Sequence, residues 1–184
     1  MRIITGILKG RRIHIPNTLN VRPTTDRVKE GLFSTLDARK YIRGAKVLDL
    51  FGGSGNLGIE ALSRGAKSVL FVDSDRRNIQ HIEKVAEEFD LSDQVRTTPA
   101  RVEDFLDGLA LPYDIIFADP PYDYPQMEEM INIIINDGWM AEHGWLIVEH
   151  DKRHDFNDHP HCAYVREYGR TYVSIFLDEA GIKF

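Results

Sequence analysis

The sequence predicts an α/β protein with a doubly wound, mostly parallel sheet of seven strands. From residue 46 onward, short apolar runs alternate with amphipathic segments, which is the pattern of strands joined by helical crossovers. The last two apolar runs, 163–168 and 171–177, have no helix between them and should pair antiparallel. A glycine-rich turn directly follows the first of these strands, at the edge where such sheets bind ligands.

Five strands are predicted to lie parallel, at 47–51, 68–72, 94–98, 113–118 and 145–149. Between them we expect helices from the glycine-rich turn through Leu62, at about 75–89, at 102–109, and along the apolar positions 127, 130, 131, 134 and 135. The stretch 151–161 is predicted to be a loop. Its three histidines lack the spacing of metal ligands, and no metal is expected.

Residues 1–43 are predicted to form an extension to this domain, which spans 44–184. Segments 2–8 and 11–15 alternate apolar and polar residues around Lys9-Gly10, and this alternation predicts a β-hairpin.

A helix is expected to end the extension. Proline disfavours helix at the residue before it, so Arg22-Pro23 places the helix start after Thr24. Thr25 is a good N-cap, and Asp26 in the first turn suits the helix dipole. The apolar face of this helix consists of Val28, Leu32, Phe33 and Leu36.

Charge is distributed unevenly along the chain, whose net charge is −6. Residues 1–43 hold ten lysines and arginines against three acidic residues, a net +7, whereas residues 44–184 hold 13 against 26, a net −13. This asymmetry predicts a basic face that binds a polyanion, attached to an acidic catalytic body. A solvated N-terminal segment without a partner is the alternative.

Composition limits the class of protein further. The 184 residues are enough for one domain with its own core, and a single cysteine, Cys162, cannot form an internal disulfide. No apolar run approaches the roughly 20 residues of a membrane span. We therefore expect a cytoplasmic protein without a membrane segment.

The glycine-rich turn, Asp49 to Gly58, predicts a cofactor site. Glycines let a ligand approach the backbone and aim the following helix N-terminus at it. The spacing Gly53-x-Gly55-x-x-Gly58, with Asp73 twenty residues after Gly53, would by itself permit NAD. Asp49, however, would repel a pyrophosphate and attract a cationic amino group or sulfonium. Asp73 can accept hydrogen bonds from a ribose in either case.

A second motif, Asp119-Pro120-Pro121-Tyr122, follows the fourth strand. The Asp119 carboxylate and the Pro120 carbonyl can accept hydrogen bonds from both N–H groups of an amino group. An exocyclic amine delocalises its lone pair into the base, so two acceptors would free that pair to attack a methyl sulfonium. Tyr122 offers a ring on which a flipped or looped-out base can stack.

The resemblance to known enzymes follows from these motifs. Asp49–Gly58 resembles the first motif of methyltransferases, and Asp119–Tyr122 resembles the (Asp/Asn)-Pro-Pro-(Tyr/Phe) motif of amino methyltransferases. More specifically, the chain resembles the RsmD family, which methylates N2 of a guanine in 16S ribosomal RNA. The segments that carry this resemblance are RPTTDRVKE at 22–30, RII-x-G at 2–6 with Gly10-Arg11-Arg12, LG-x-EALSRGA at 57–66, and Tyr168-Gly169-x-Thr171.

The resemblance implies a class I methyltransferase fold, similar to a Rossmann fold, and S-adenosylmethionine as the methyl donor. Catalysis is then assigned to Asp119, Pro120 and Tyr122. The implied donor-binding residues are Asp49, Phe51, Gly52, Gly53, Ser54, Gly55, Asn56, Gly58, Asp73, Ser74, Arg101, Val102 and Asp119. Arg101 departs from the family pattern, because many relatives have a carboxylate there that meets the adenine amino group; the backbone around Val102 is expected to replace it.

The expected RNA contacts are Arg11, Arg12, Arg22, Thr24 and Arg27. Arg11 and Arg12 should touch phosphates. Arg22, Thr24, Asp26 and Arg27 could border the cleft and contact RNA phosphate or the methyl donor, or they could belong to a salt-bridged helix start. The expected partner is 16S rRNA, free or within an assembling small ribosomal subunit, and the expected state is a monomer.

Other functions remain open at this point. The same motif serves enzymes that methylate adenine N6 in DNA or RNA, or a glutamine amide in protein. A different class is an RNA-binding or assembly factor that retains a cofactor pocket. An NAD-dependent oxidoreductase is the least favoured, since no residue pattern suggests hydride transfer.

Overall fold

A computed structural model describes residues 1–21 and 24–184; Arg22 and Pro23 lie outside the described residues. In chain order the helices and strands are α1 (Asp26–Arg39), β1 (Lys46–Leu50), α2 (Asn56–Ser63), β2 (Ser68–Asp73), α3 (Arg76–Glu88), β3 (Val95–Pro99), α4 (Val102–Leu106), β4 (Tyr113–Ala118), α5 (Met127–Asn136), β5 (Met140–His150), β6 (Cys162–Tyr168) and β7 (Thr171–Leu177).

All seven strands form one sheet in the order β3-β2-β1-β4-β5-β7-β6. Strands β1 to β5 are parallel, and β7 runs antiparallel to both β5 and β6. The predicted fold class is therefore confirmed. The strand order reverses between β1 and β4, so the carboxyl ends of these two strands open a crevice suited to a ligand.

The core has two apolar layers, one on each face of the sheet. One layer packs α1, α2 and α3 against the sheet, and the other packs α4 and α5. Alternate residues of β1 supply both layers, with Val47 on the first face and Leu48 on the second. Trp139 and Trp145 are buried, as expected for core residues.

The N-terminal hairpin is shorter than predicted. A single antiparallel bridge joins Arg2 to Arg12, and no strand forms over 2–8 or 11–15. The Ile3 N–H pairs with the Arg11 carbonyl of the second arm, but most of the backbone donors that follow it bind α2 instead. Ile4 and Thr5 donate to the Glu60 carboxylate, and Ile7 and Leu8 donate to the Ser63 carbonyl and hydroxyl.

Element ends differ slightly from expectation. The Thr25 cap is confirmed, since its hydroxyl accepts from the Val28 N–H and α1 begins at Asp26. Helix α4 ends at Leu106 instead of residue 109, before Gly108. Strand β5 begins at Met140, five residues earlier than its apolar run.

In the part of the chain that the structure describes, no helix is long and apolar enough to cross a membrane.

Candidate active site

A cleft of about 560 Å³ opens at the carboxyl ends of β1, β2 and β4. Its walls come from the glycine-rich turn after β1, the first turn of α3, the segment after β4, and the loop that precedes α1. The lining residues are Asn20, Val21, Thr24, Asp49, Phe51, Gly53, Ser54, Asn56, Leu57, Asp73, Ser74, Asp75, Arg77, Asn78, Asp119, Pro120, Pro121 and Tyr122.

The glycine-rich turn winds tightly around one end of this cleft. Phe51, Gly53 and Gly55 all have positive φ, at 61°, 56° and 80°. Such φ values are strained for a residue with a β-carbon, so Phe51 carries local strain next to the cleft. Gly58 has another function, because a β-carbon there would lie 2.4 Å from the Phe71 ring. It therefore allows α2 to pack closely on the sheet.

Asp49 is buried at the bottom of the cleft. Its carboxylate accepts a hydrogen bond from the Gly58 N–H at 2.9 Å, in the first turn of α2. Burial raises the pKa of Asp49 well above its usual range; the Gly58 bond opposes this rise, and the negative charges of Asp119 and Asp73 add to it. A cation in the cleft would favour the ionised form of Asp49 and lower this pKa.

Asp73 ends β2 and organises the opposite wall. One carboxylate oxygen accepts from the Gly53 N–H at 2.8 Å and from the Asn78 amide at 3.2 Å, and the other accepts from the Asp75 N–H at 2.8 Å. The carboxylate thus fixes the glycine turn and the start of α3 relative to β2. It also lines the cleft, where a sugar hydroxyl could reach it.

The Asp-Pro-Pro-Tyr segment closes the third side. Ala118 pairs with Leu50 of β1, so Asp119 leaves the sheet next to the glycine turn. Asp119 and Tyr122 are half-buried in the cleft wall. The Tyr122 hydroxyl lies 3.0 Å from the Thr171 hydroxyl, at the start of β7. Carboxylates from three strand ends therefore lie in one crevice.

Two predicted residues have contacts that the sequence does not reveal. Thr24, expected to border the cleft, is buried in its wall and donates to the Glu149 carboxylate at 3.1 Å. The Asn56 side chain accepts from the Lys29 ammonium at 2.8 Å and donates to the Thr24 carbonyl at 3.2 Å. Lys29 is one of the ten cations counted in residues 1–43, but it is fully buried and so does not belong to the basic surface predicted there.

The structure does not bring every predicted residue to the cleft. Gly52 and Gly55 shape the turn without lining the cleft. Val102 is buried in the second core layer, and Arg101 is exposed and pairs with Glu103. Their part in adenine binding stays a prediction. Arg11, Arg12 and Arg27 are exposed and outside the lining, and Arg22 lies outside the described residues.

Several lining residues escaped prediction from the sequence. Asn20 and Val21 belong to the turn-rich segment before α1, which is held over the cleft in part by a bond from the Arg77 guanidinium to the Thr18 carbonyl at 3.3 Å. Asn78 could have been found, because a polar residue five positions after the acidic end of β2 lies in the first turn of the next helix. The loop residues carry no comparable signal.

Comparisons with known proteins agree with this geometry. A model of the family described as "Conserved hypothetical protein 95" matches residues 1–177. The "Ribosomal RNA small subunit methyltransferase D" of Escherichia coli strain K12 is 38% identical over 149 residues, which is 81% of this chain and 74% of the relative. A protein of the same name from Haemophilus influenzae is 35% identical over 164 residues, 83% and 79% of the two chains. Among solved structures, "Putative methyltransferase yhhF from Escherichia coli" superimposes with a TM-score of 0.85, 33% identity and 98% coverage of both chains.

Proposed function

The chain belongs to the family described as "Conserved hypothetical protein 95", and on that premise we propose that it is a methyltransferase of small-subunit ribosomal RNA. One observation of the structure carries the proposal: acidic side chains from the ends of β1, β2 and β4 line a single cleft, and the third belongs to Asp119-Pro120-Pro121-Tyr122. The resemblance to the RsmD family, first drawn from short motifs, extends over most of the chain.

The cleft fits S-adenosylmethionine as the methyl donor. Asp49 offers a buried carboxylate whose ionised form a cationic amino group would stabilise. Asp73 offers an acceptor for the hydroxyl groups of a ribose. Ser54, Asn56 and Ser74 line the same space. When bound, the donor supplies an electrophilic methyl group on its sulfonium.

The acceptor side is assigned to the segment after β4. The Asp119 carboxylate and the Pro120 carbonyl accept hydrogen bonds from the two N–H groups of an exocyclic amine and so localise its lone pair on nitrogen. Two consecutive prolines restrict the backbone here, so these acceptors are positioned before the base arrives. Tyr122 provides the surface on which the base stacks. Positioning and electrostatics supply most of the rate.

The acceptor atom, the roles of the two chain segments and the state of the protein are proposed on the same grounds. We propose the N2 amino group of a guanine in 16S rRNA as the acceptor, read either in free RNA or in an assembling small subunit. Residues 1–43 serve as the RNA-docking extension and 44–184 as the catalytic domain. The protein acts as a cytoplasmic monomer, and Thr24 in the cleft wall and the exposed Arg27 lie next to the bound RNA.

Nucleoside mapping of ribosomal RNA tests the function directly. RNA from cells with and without the protein is digested and analysed by mass spectrometry, and the mutant is expected to lack one N2-methylguanosine of 16S rRNA. Loss of a methyladenosine, or of a methylated glutamine in a proteomic comparison, would instead support another amino acceptor of the same motif. An unchanged set of methylated sites would contradict the proposal.

Salt dependence tests the role of the extension. The double variant Arg11→Gln, Arg12→Gln keeps the aliphatic stem of Arg11, whose guanidinium lies 4.4 Å from the centre of the Phe89 ring. Each phosphate contact that is lost should reduce the slope of log affinity against log salt by about one. Fluorescence anisotropy with an rRNA fragment measures this slope. Lys84→Gln with Arg96→Gln removes two exposed cations from the catalytic body as a control; an equal change in both variants would contradict a specific docking face.

Asp49 should make donor binding depend on pH. Because its pKa is raised in the free protein, Asp49 stays partly protonated at pH values where an ordinary aspartate is fully ionised, and a cationic ligand must displace that proton. Affinity should therefore tighten as the pH rises toward the free-protein pKa and become constant above it. Calorimetry in two buffers of different ionisation enthalpy should detect proton release. Asp49→Asn should weaken binding and abolish the pH dependence; a variant that keeps the same pH profile would exclude Asp49 as its source.

A further inference from the structure

The turn between β6 and β7 lies beside the active site. Thr171 is the first residue of β7, and the next residue, Tyr172, pairs with His150 at the carboxyl end of β5. The turn therefore lies at the same edge of the sheet as the cleft. The Tyr168-Gly169-x-Thr171 pattern within it has no role in the cofactor or amine chemistry described above.

Both arms of this turn contact other parts of the chain. On one arm, the Thr171 hydroxyl meets the Tyr122 hydroxyl at 3.0 Å. On the other, the Tyr168 ring lies against the backbone of α1 at Gly31, where an added β-carbon would come within 2.4 Å of the ring. Tyr168 and Thr171 are paired across the turn. The turn thus connects the helix of the basic extension to the aromatic ring of the Asp-Pro-Pro-Tyr motif.

We propose that Thr171 is a positioning residue for methyl transfer, which holds the Tyr122 ring in the place where the target base stacks. This proposal rests on the proposed function. Pro120 and Pro121 restrain the backbone before Tyr122, but they do not fix its first side-chain torsion, which swings the whole ring. The hydrogen bond to Thr171 holds the hydroxyl at the tip of the ring and so restricts this swing. A small error in the position of an acceptor amine costs rate because in-line attack depends on alignment.

The test compares kcat, KM and donor affinity among four variants assayed on small-subunit rRNA. Thr171→Val keeps the shape of the side chain and removes its hydroxyl, and it should lower kcat/KM about tenfold while leaving donor affinity and Tm unchanged. Thr171→Ser keeps the hydroxyl and should restore most of the activity. Tyr122→Phe should show a similar loss. The two single variants lose the same hydrogen bond, the one between the two hydroxyl groups. The double variant Thr171→Val, Tyr122→Phe should therefore be no worse than Tyr122→Phe alone.

Thr97→Val is the matched control, since Thr97 donates to Glu83 at 2.6 Å on β3, outside the cleft lining. It should retain full activity. Thr171→Val with normal kcat/KM, or losses that multiply in the double variant, would overturn the positioning role. Such an outcome leaves the proposed function intact, whereas a wild-type protein that transfers no methyl group to any rRNA would overturn the function itself.

Discussion

Replacing Asp119 with alanine is expected to lower the turnover number by at least about a hundredfold while leaving S-adenosylmethionine affinity within a few fold of wild type. The change removes the carboxylate that accepts hydrogen from the amine, and with it the charge that stabilises the developing cation on nitrogen. Losing one preorganised group of this kind typically costs about 10² to 10³ in rate. The proposed contacts of the methyl donor with the glycine turn, Asp49 and Asp73 do not involve the substituted side chain. Transfer of a tritiated methyl group to rRNA measures the rate, and calorimetry measures the affinity.

Two further results separate a chemical role for Asp119 from a structural one. Asp119→Asn keeps one carbonyl acceptor, and because the related motif occurs with either residue, it should retain far more activity than the alanine variant. The alanine variant should also lower the pKa of Asp49, because the negative charge of Asp119 contributes to raising it. The pH at which donor binding becomes constant should therefore move to lower values. Full activity of Asp119→Ala would refute the assignment.

The fold and the meeting of three acidic side chains in one cleft could be predicted because they depend on local patterns. Apolar runs alternating with helical periodicity fix a parallel sheet, and acidic residues at strand ends must then meet at one edge. For this reason Asp49, Asp73 and Asp119 could be placed together without coordinates, and the structure has all three in the cleft wall.

Features that depend on contacts between distant segments could not be predicted. The alternation at 2–8 indicates a strand, yet the backbone N–H groups of Ile4, Thr5 and Leu8 bind the side chains of Glu60 and Ser63, more than fifty residues away. Lys29 counts as a surface cation by composition and is fully buried by tertiary packing. Thr171 carries no chemical signal until the sheet order places it beside Tyr122.

Glu60 and Lys29 form a buried ion pair that joins α1 to α2. Both side chains are fully buried, and the Lys29 ammonium lies 3.3 Å from the Glu60 carboxylate. Burial lowers the pKa of Lys29, and the charge of Glu60 opposes this shift. Lys29 also donates to the Arg2 carbonyl at 2.6 Å and to Asn56 at 2.8 Å. The pair therefore holds the N-terminal segment, α1 and the glycine turn in register.

Glu60→Leu is expected to reduce the free energy of unfolding by about 3–5 kcal/mol, because it leaves a buried ammonium without its carboxylate and removes the acceptor of the Ile4 and Thr5 N–H groups. Urea denaturation measures the loss. Glu88→Leu is the matched control: its pair with Lys84 is exposed and 3.9 Å long, so the cost should be below about 1 kcal/mol. Adding Lys29→Met to Glu60→Leu removes the stranded charge and should recover part of the stability, since an apolar pair can replace a buried ion pair. If Glu60→Leu costs no more than Glu88→Leu, the buried pair does not hold α1 and the N-terminal segment on α2.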